Sequence, residues 1–251
     1  MFKKKPQTSQ YERLGCLRRF RRGSQYARYQ MIFFPSAGAG ASALSELSLS
    51  LPNTIDTWVV QLRGRGDRLS ESPIVCMDTL VDEIVSSIAL LEKKPIILFG
   101  HSMGSLIAYE VACKLKESTV TKLIVSGHGA PSLPVVGNRC HHTAPDEDFI
   151  ADMKRLGGTP PEVLSSPELL AVLLPTLRAD YHLLDNYKPT LDHKLNVDIH
   201  ACAGESDSIV TPDSFLAWQN HTDASFLYDW FKGGHFYFNT NCQPLISTLN
   251  L

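Results

Sequence analysis

Apolar residues gather in short runs at 29–34, 57–62, 96–99, 121–126, 197–203 and 225–230. Each run is four to seven residues long and is bounded by Gly, Pro or charged residues. Such runs are the pattern of strands buried on both faces. Between them the apolar spacing changes to that of a helix. Leu80, Ile84, Ile88 and Leu91 share one face of 78–91, and Asp78 is placed to cap it. Leu106, Ile107, Val111 and Leu115 mark a second helix after the 96–99 run. Strand–helix alternation of this kind predicts an α/β chain, a mostly parallel central sheet with helices on both faces.

The alternation pauses between about 128 and 190. A Pro-, Gly- and His-rich loop is followed by a predicted helix at 146–156 and a longer one at 167–187. The longer helix carries a stripe of Leu169, Leu170, Leu173, Leu174, Leu177, Tyr181 and Leu184, with Pro175 expected to kink it. Helices inserted between consecutive strands, and more apolar than their position requires, suit a lid over a hydrophobic pocket, with ordinary core helices as the alternative. The expectation is one domain over 1–251, with a basic lead-in at 1–25 and the helical insertion at about 128–190.

Composition narrows the class. The chain has 251 residues, 20% of them charged, and a formal net charge of −2, which disfavours a nucleic-acid binder. Charge is uneven, however: Lys3-Lys4-Lys5 and Arg18-Arg19-Phe-Arg21-Arg22 make the start strongly basic. A solvated, partly disordered lead-in is the expectation, against an arm for nucleic acid or anionic membrane. No apolar segment follows the basic residues as a secretory signal would require, and no run reaches the length of a membrane span. The six cysteines contain no C-x-x-C pair and read as reduced thiols of a cytoplasmic protein. No heptad or apolar dimer patch lies outside the insertion, so a monomer is expected.

The chemistry centres on Gly100-His-Ser102-Met-Gly104, a G-x-S-x-G at a strand-to-helix junction. That is the setting of a nucleophile elbow, where the turn is too tight for side chains at the outer positions. A serine hydroxyl needs a base, itself oriented by a carboxylate. Asp207 follows the 197–203 run and His235 follows the last one, behind Gly233-Gly234. The order Ser, Asp, His, each after a strand, is that of α/β-hydrolases. Glu205 competes for the acid position. His101 neighbours the nucleophile but is expected to point away across the elbow. His141-His142 lack a third ligand at metal spacing. His128, His182, His193, His200 and His221 lack matching context. The loop Pro35-Ser-Ala-Gly-Ala-Gly40 has two readings, a dinucleotide fingerprint or a second oxyanion donor. Pro35 and the missing acidic residue after 57–62 disfavour the first. Arg65-Gly66-Asp67 spells an adhesion tripeptide that reads as coincidence in a charged, Gly-rich turn.

The chain also resembles the type II (stand-alone) thioesterases of nonribosomal peptide and polyketide synthases. The resemblance runs through Phe34-Pro-Ser-Ala-Gly-Ala, Leu62-Arg-Gly-Arg-Gly-Asp-Arg68 and the elbow to Glu110. It continues in Arg155-Leu-Gly-Gly-Thr-Pro-Pro-Glu162, Leu174-Pro-Thr-Leu-Arg-Ala-Asp180, Gly204-x-x-Asp207 and Gly233-Gly-His-Phe236. It implies an α/β-hydrolase fold, Ser102 as nucleophile, Asp207 as orienting acid, His235 as base, and Ala37 and Met103 as oxyanion N–H donors. It also implies no cofactor and no metal, and a partner in an acyl or peptidyl carrier protein bearing a phosphopantetheine thioester. Ser36, Ala39 and Arg63 depart from the family pattern, which has His, Gly and Pro there.

Overall fold

The computed structural model describes residues 11–115, 119–133, 141–192 and 194–249. The Lys3–Lys5 cluster, Cys140, His193 and residues 134–140 of the insertion lie outside the described residues. In chain order the elements are β1 (Glu12–Leu14), β2 (Leu17–Arg19), β3 (Tyr29–Phe34), α1 (Ser45–Ser50), β4 (Ile55–Val60) and α2 (Met77–Ile88). Then come β5 (Ile96–His101), α3 (Met103–Lys114), β6 (Val120–Ser126), α4 (Asp146–Leu156), α5 (Pro161–Leu164) and α6 (Pro167–Asp185). The chain closes with β7 (Asp198–Gly204), α7 (Pro212–Leu216), β8 (Phe226–Phe231) and α8 (Gln243–Thr248).

One sheet holds all eight strands in the order β1-β2-β4-β3-β5-β6-β7-β8. Strands β4, β3, β5, β6, β7 and β8 pair in parallel, and β1 and β2 add an antiparallel hairpin at one edge. Period-two alternation divides the strand residues between two cores. Ile32 and Phe34 of β3 join Leu98 of β5 against α2 and α3. Met31, Phe33 and Phe99 face the other way, against Leu47 of α1 and Leu245 of α8. Helices thus cover both faces. Because β4 lies on one side of β3 and β5 on the other, the connections diverge at the C-terminal ends of β3 and β5. That is where an open α/β sheet has its crevice.

The helical insertion is α4, α5 and α6, between β6 and β7. It carries a small core of its own, Phe149, Met153, Leu174, Leu177 and Tyr181. Ser166 caps α6 by accepting the Leu169 N–H, Pro167 takes the first helical position, and the helix continues through Pro175 as one element. Its C-terminal half buries Leu177, Asp180, Tyr181 and Leu183, whereas Leu169 and Val172 remain about half exposed.

Two local expectations are corrected. The basic lead-in is not solvated throughout: Glu12 and Arg13 of β1 are exposed, but Cys16, Leu17 and Arg18 are buried, and Arg18 and Arg19 serve the sheet edge. Arg18 pairs with Asp67 at 3.0 Å, and Arg19 pairs with Asp56 at 3.0 Å while lying over the Trp58 ring. Asp67 is thereby committed to structure, which accounts for the middle of the charged loop. The cap of α2 is Cys76, with Asp78 inside the first turn, where its charge still suits the helix dipole.

Candidate active site

The elbow is built by two glycines. A Cβ on Gly100 would stand 2.2 Å from the Gly104 carbonyl oxygen, and one on Gly104 would stand 2.1 Å from that of Phe34. No side chain fits at either, so β5 can turn into α3 within one residue. That residue is Ser102, at φ 55° and ψ −123°, the one non-glycine residue with positive φ among the described residues. Such a conformation costs on the order of 1–3 kcal/mol and persists only where the surroundings impose it. Here the Ser102 N–H is held by the Ser126 carbonyl at 2.7 Å, and the Ser105 hydroxyl donates to the carbonyls of Gly100 and Ser126. Ser102 is left partly exposed on the wall of a cavity of about 580 Å³.

Asp207 and His235 are brought together on neighbouring loops. His235 Nδ1 lies 2.8 Å from Asp207 Oδ2, with side chains 2% and 0% exposed. The carboxylate oxygen accepts a proton from Nδ1, which fixes the tautomer and leaves Nε2 as the basic atom. The Ile209 N–H takes the other carboxylate oxygen at 2.9 Å. The two loops cross so closely that a Cβ on Gly204 would meet the Gly234 carbonyl oxygen at 2.2 Å. Backbone bonds from Glu205 to Phe231 and from Ser206 to Gly233 lock that crossing. Glu205, the competing acid, is exposed on the loop. Ser102 and His235 line the same cavity. Among the described residues no hydrogen bond joins them; such bonds are often long in a ligand-free site and tighten with substrate.

Ala37 follows β3 and Met103 opens α3, on either side of the elbow, and both line the cavity. Neither backbone N–H is taken by an acceptor among the described residues. Two free donors beside a serine, one of them at a helix N-terminus, are the arrangement that oxyanion stabilisation requires.

His101 does not point away. It is buried, donates or accepts at Nδ1 with the Ser126 hydroxyl at 3.0 Å, and lies with its ring 4.8 Å from that of His235. Burial, and then the nearness of His235 and His128, hold its pKa well below the usual histidine value, so it stays neutral beneath the site. His128 also lines the cavity, a placement its position just beyond β6 could have suggested. The remaining described histidines have structural partners. His141 and His142 share Asp185, His182 stacks on His142, His200 pairs with Asp229, and His221 bonds to Ser132. Among the described residues no group of three or more His, Cys, Asp or Glu could hold a metal ion, and no helix is long and apolar enough to cross a membrane.

The insertion roofs the cavity with Met153, Leu156, Val163, Leu173 and Leu177. Its anchor was missed in the sequence. Asp180 of α6 is 2% exposed and meets Arg65 and the Gly38 N–H under the Gly-rich loop. Both residues lie in stretches that carry the family resemblance, but 115 positions separate them. Arg63, at a departure from the family pattern, pairs with Glu83 of α2 at 2.8 Å. Ser36 is buried, and its carbonyl accepts from Ala39 N, so both departures fit a tight turn.

Comparison with known proteins agrees with this geometry. Residues 29–250 match the model of the thioesterase domain family. The chain is 35% identical over 214 residues to the gramicidin S biosynthesis protein GrsT of Aneurinibacillus migulanus, covering 84% of this chain and 83% of that one. It is 33% identical over 210 residues to a probable cadicidin biosynthesis thioesterase of Streptomyces griseus, covering 83% of this chain and 58% of that longer relative. The structure of the type II thioesterase BorB from the borrelidin biosynthetic cluster superposes with a TM-score of 0.83 at 33% identity, over 92% of this chain and 94% of that one.

Proposed function

The chain belongs to the thioesterase domain family, and from that premise we propose that it releases acyl or aminoacyl groups from the phosphopantetheine arm of a carrier protein. The observation that carries this reading is the buried 2.8 Å Asp207–His235 pair facing the same cavity as a strained, elbow-borne Ser102. In this reading the Ser102 hydroxyl attacks the thioester carbonyl carbon, and His235 Nε2 takes its proton. Negative charge passes to the carbonyl oxygen, which the N–H groups of Ala37 and Met103 stabilise. The C–S bond then breaks, and the departing sulfur takes the proton back from His235. Water, deprotonated by the same imidazole, attacks the acyl-serine carbonyl; the acyl C–O bond then breaks and His235 returns the proton to the Ser102 oxygen, which releases the acid and restores the enzyme. Asp207 orients the ring and stabilises the imidazolium throughout.

The relatives support the choice of substrate. GrsT is named for gramicidin S biosynthesis, and BorB is a type II thioesterase of a biosynthetic cluster. A stand-alone hydrolase of this kind clears stalled or wrong acyl groups from carrier domains. The cavity, about 580 Å³ and lined mainly by aliphatic side chains, suits a range of acyl groups rather than one. The five described cysteines are free thiols, in keeping with a cytoplasmic enzyme, and we take it to act as a monomer.

The test compares one acyl group on a phosphopantetheinylated carrier protein and on N-acetylcysteamine. Release from the carrier at least about tenfold faster in kcat/KM supports a carrier-docking surface. Equal values reassign the protein to general acyl-thioester hydrolysis, with the same chemistry at Ser102.

A further inference from the structure

We propose that Asp180 and Arg65 are positioning residues for the oxyanion site, their buried ion pair holding the loop after β3 so that the Ala37 N–H faces the reacting carbonyl. The inference rests on the Ser102 acyl-transfer reading and extends it to the inserted helices. Asp180 Oδ2 accepts the Gly38 N–H at 2.7 Å, the peptide group immediately after Ala37. Arg65 completes the arrangement with a two-pronged bond, Nη1 to Oδ2 at 2.6 Å and Nη2 to Oδ1 at 2.7 Å. Nη1 also reaches the Ala39 carbonyl at 3.3 Å. The two residues that follow the proposed donor are therefore held by one planar fork and one carboxylate. Side-chain exposure of 7% and 3% keeps water from substituting for either partner.

The rest of the loop has separate supports. Gln61 accepts the Ala41 N–H at 2.9 Å and donates to the Arg65 carbonyl at 2.9 Å. Those bonds act farther along the loop, whereas Asp180 acts one residue from the donor. Gly38 itself, at φ +73°, leaves space that Leu177 fills: a Cβ there would stand 3.1 Å from the leucine's Cδ1. Helix α6 thus presses on the loop with Leu177 and binds it with Asp180, and Thr176 donates to the Gly64 carbonyl at 2.8 Å. The helix that roofs the acyl cavity and the loop that offers the oxyanion donor are bonded directly to each other. An acyl group that displaced α6 would shift the donor, so acyl fit would be read out in kcat.

The test uses Asp180→Asn, which keeps the shape but sets a donating NH2 against either the Arg65 fork or the Gly38 N–H, so that one of the acceptor roles is lost. Arg65→Lys keeps the charge and loses the fork. For each variant, kcat and KM are measured on an acyl N-acetylcysteamine thioester. Affinity is measured for a trifluoromethyl ketone analogue, whose adduct on Ser102 places an oxyanion on the donors, and for a thioether analogue with no carbonyl. The expected result is a fall in kcat of about 10- to 100-fold, with KM and thioether affinity within about threefold and ketone affinity falling in proportion to kcat. Circular dichroism and urea midpoints establish that the protein assayed is folded; should Asp180→Asn not fold, Arg65→Lys is held to the same split. A folded variant with kcat and ketone affinity within about threefold of wild type overturns the proposal, as does a loss confined to KM and thioether binding. Undiminished hydrolysis by Ser102→Ala, run alongside, overturns instead the acyl-transfer reading beneath it.

Discussion

Replacing Gly104 by Ala sets two effects of opposite sign against each other. In a helix interior the change from Gly to Ala gains about 1 kcal/mol, and Gly104 is the second residue of α3. Against this, the new Cβ would lie 2.1 Å from the Phe34 carbonyl oxygen and 2.8 Å from that of Pro35. Both are backbone atoms, so no rotamer change relieves the contact. The end of β3 and the start of α3 must separate by roughly 1 Å, an overpacking that costs about 3 kcal/mol. The net expectation is a loss of about 2 kcal/mol. The functional effect should be larger, because the clash lies between the two proposed oxyanion donors. Ala37 is on the Phe34–Pro35 side and Met103 on the α3 side, so separation moves them apart. A misplacement of that size costs about 100-fold in kcat. Urea unfolding followed by tryptophan fluorescence gives the first number, and thioester hydrolysis by the folded variant gives the second. Gly157→Ala is the companion: its φ is +75°, but nothing lies within 4 Å of the added Cβ. It should lose only the left-handed penalty of about 1 kcal/mol. Gly104→Ala with wild-type stability within about 0.5 kcal/mol and kcat within about threefold would refute the steric account of the elbow.

Further predictions concern groups around the site. The His101 pKa is held well below 6.5 by burial, whereas in the unfolded chain it titrates near 6.5. Its contribution to stability is therefore complete above pH 6.5 and is lost as pH falls below that value toward the folded pKa, at up to about 1.4 kcal/mol per pH unit. His221, also lowered by burial, adds a loss of the same sign. His101→Phe should remove one proton's share, so between pH 7.5 and 5.5 wild type should lose about 1 kcal/mol more than the variant by urea unfolding. Equal losses would place the pH dependence elsewhere. Glu110 on α3 accepts from the Tyr187 hydroxyl at 2.6 Å, Thr190 N at 3.0 Å and the Thr190 hydroxyl at 2.7 Å. Glu110→Ala leaves these donors without an acceptor and should cost about 3 kcal/mol, whereas Glu110→Gln, which still accepts, should cost less than half of that. A urea midpoint that does not separate the two variants would show that packing, not hydrogen bonding, holds the link from α6 to β7.

The parts of the molecule legible in the sequence were those written locally. β3 and α4 have the predicted bounds, and the other parallel strands differ by a few residues; the inner strands are runs of apolar residues because both their faces are buried, whereas β8, at the sheet edge, leaves Leu227 and Tyr228 exposed. The elbow was legible because steric demand fixes glycine at two positions four apart, and Asp207 and His235 followed from their places after strands. What was not legible depended on distant partners. The basic residues of β2 look solvent-seeking, and only Asp56 on the neighbouring strand β4 and Asp67 in the loop beyond it draw them in. Asp180 looks like the polar face of an amphipathic helix until Arg65 and the Gly38 N–H are seen around it. His101 was placed wrongly because the direction of a side chain beside a strained residue is set by packing against His235, Phe236 and Phe238. The short helices α1, α5, α7 and α8 carry too few turns for a periodic signal.

The central claim is that Ser102 forms the acyl-enzyme through which a carrier-bound thioester is hydrolysed. Its most direct test is the rate at which an acylated carrier protein loses the acyl mass, followed by intact-protein mass spectrometry with wild type and with Ser102→Ala. The account predicts hydrolysis by wild type and a fall of at least about 1,000-fold in the variant. Release by Ser102→Ala within about tenfold of wild type would contradict it.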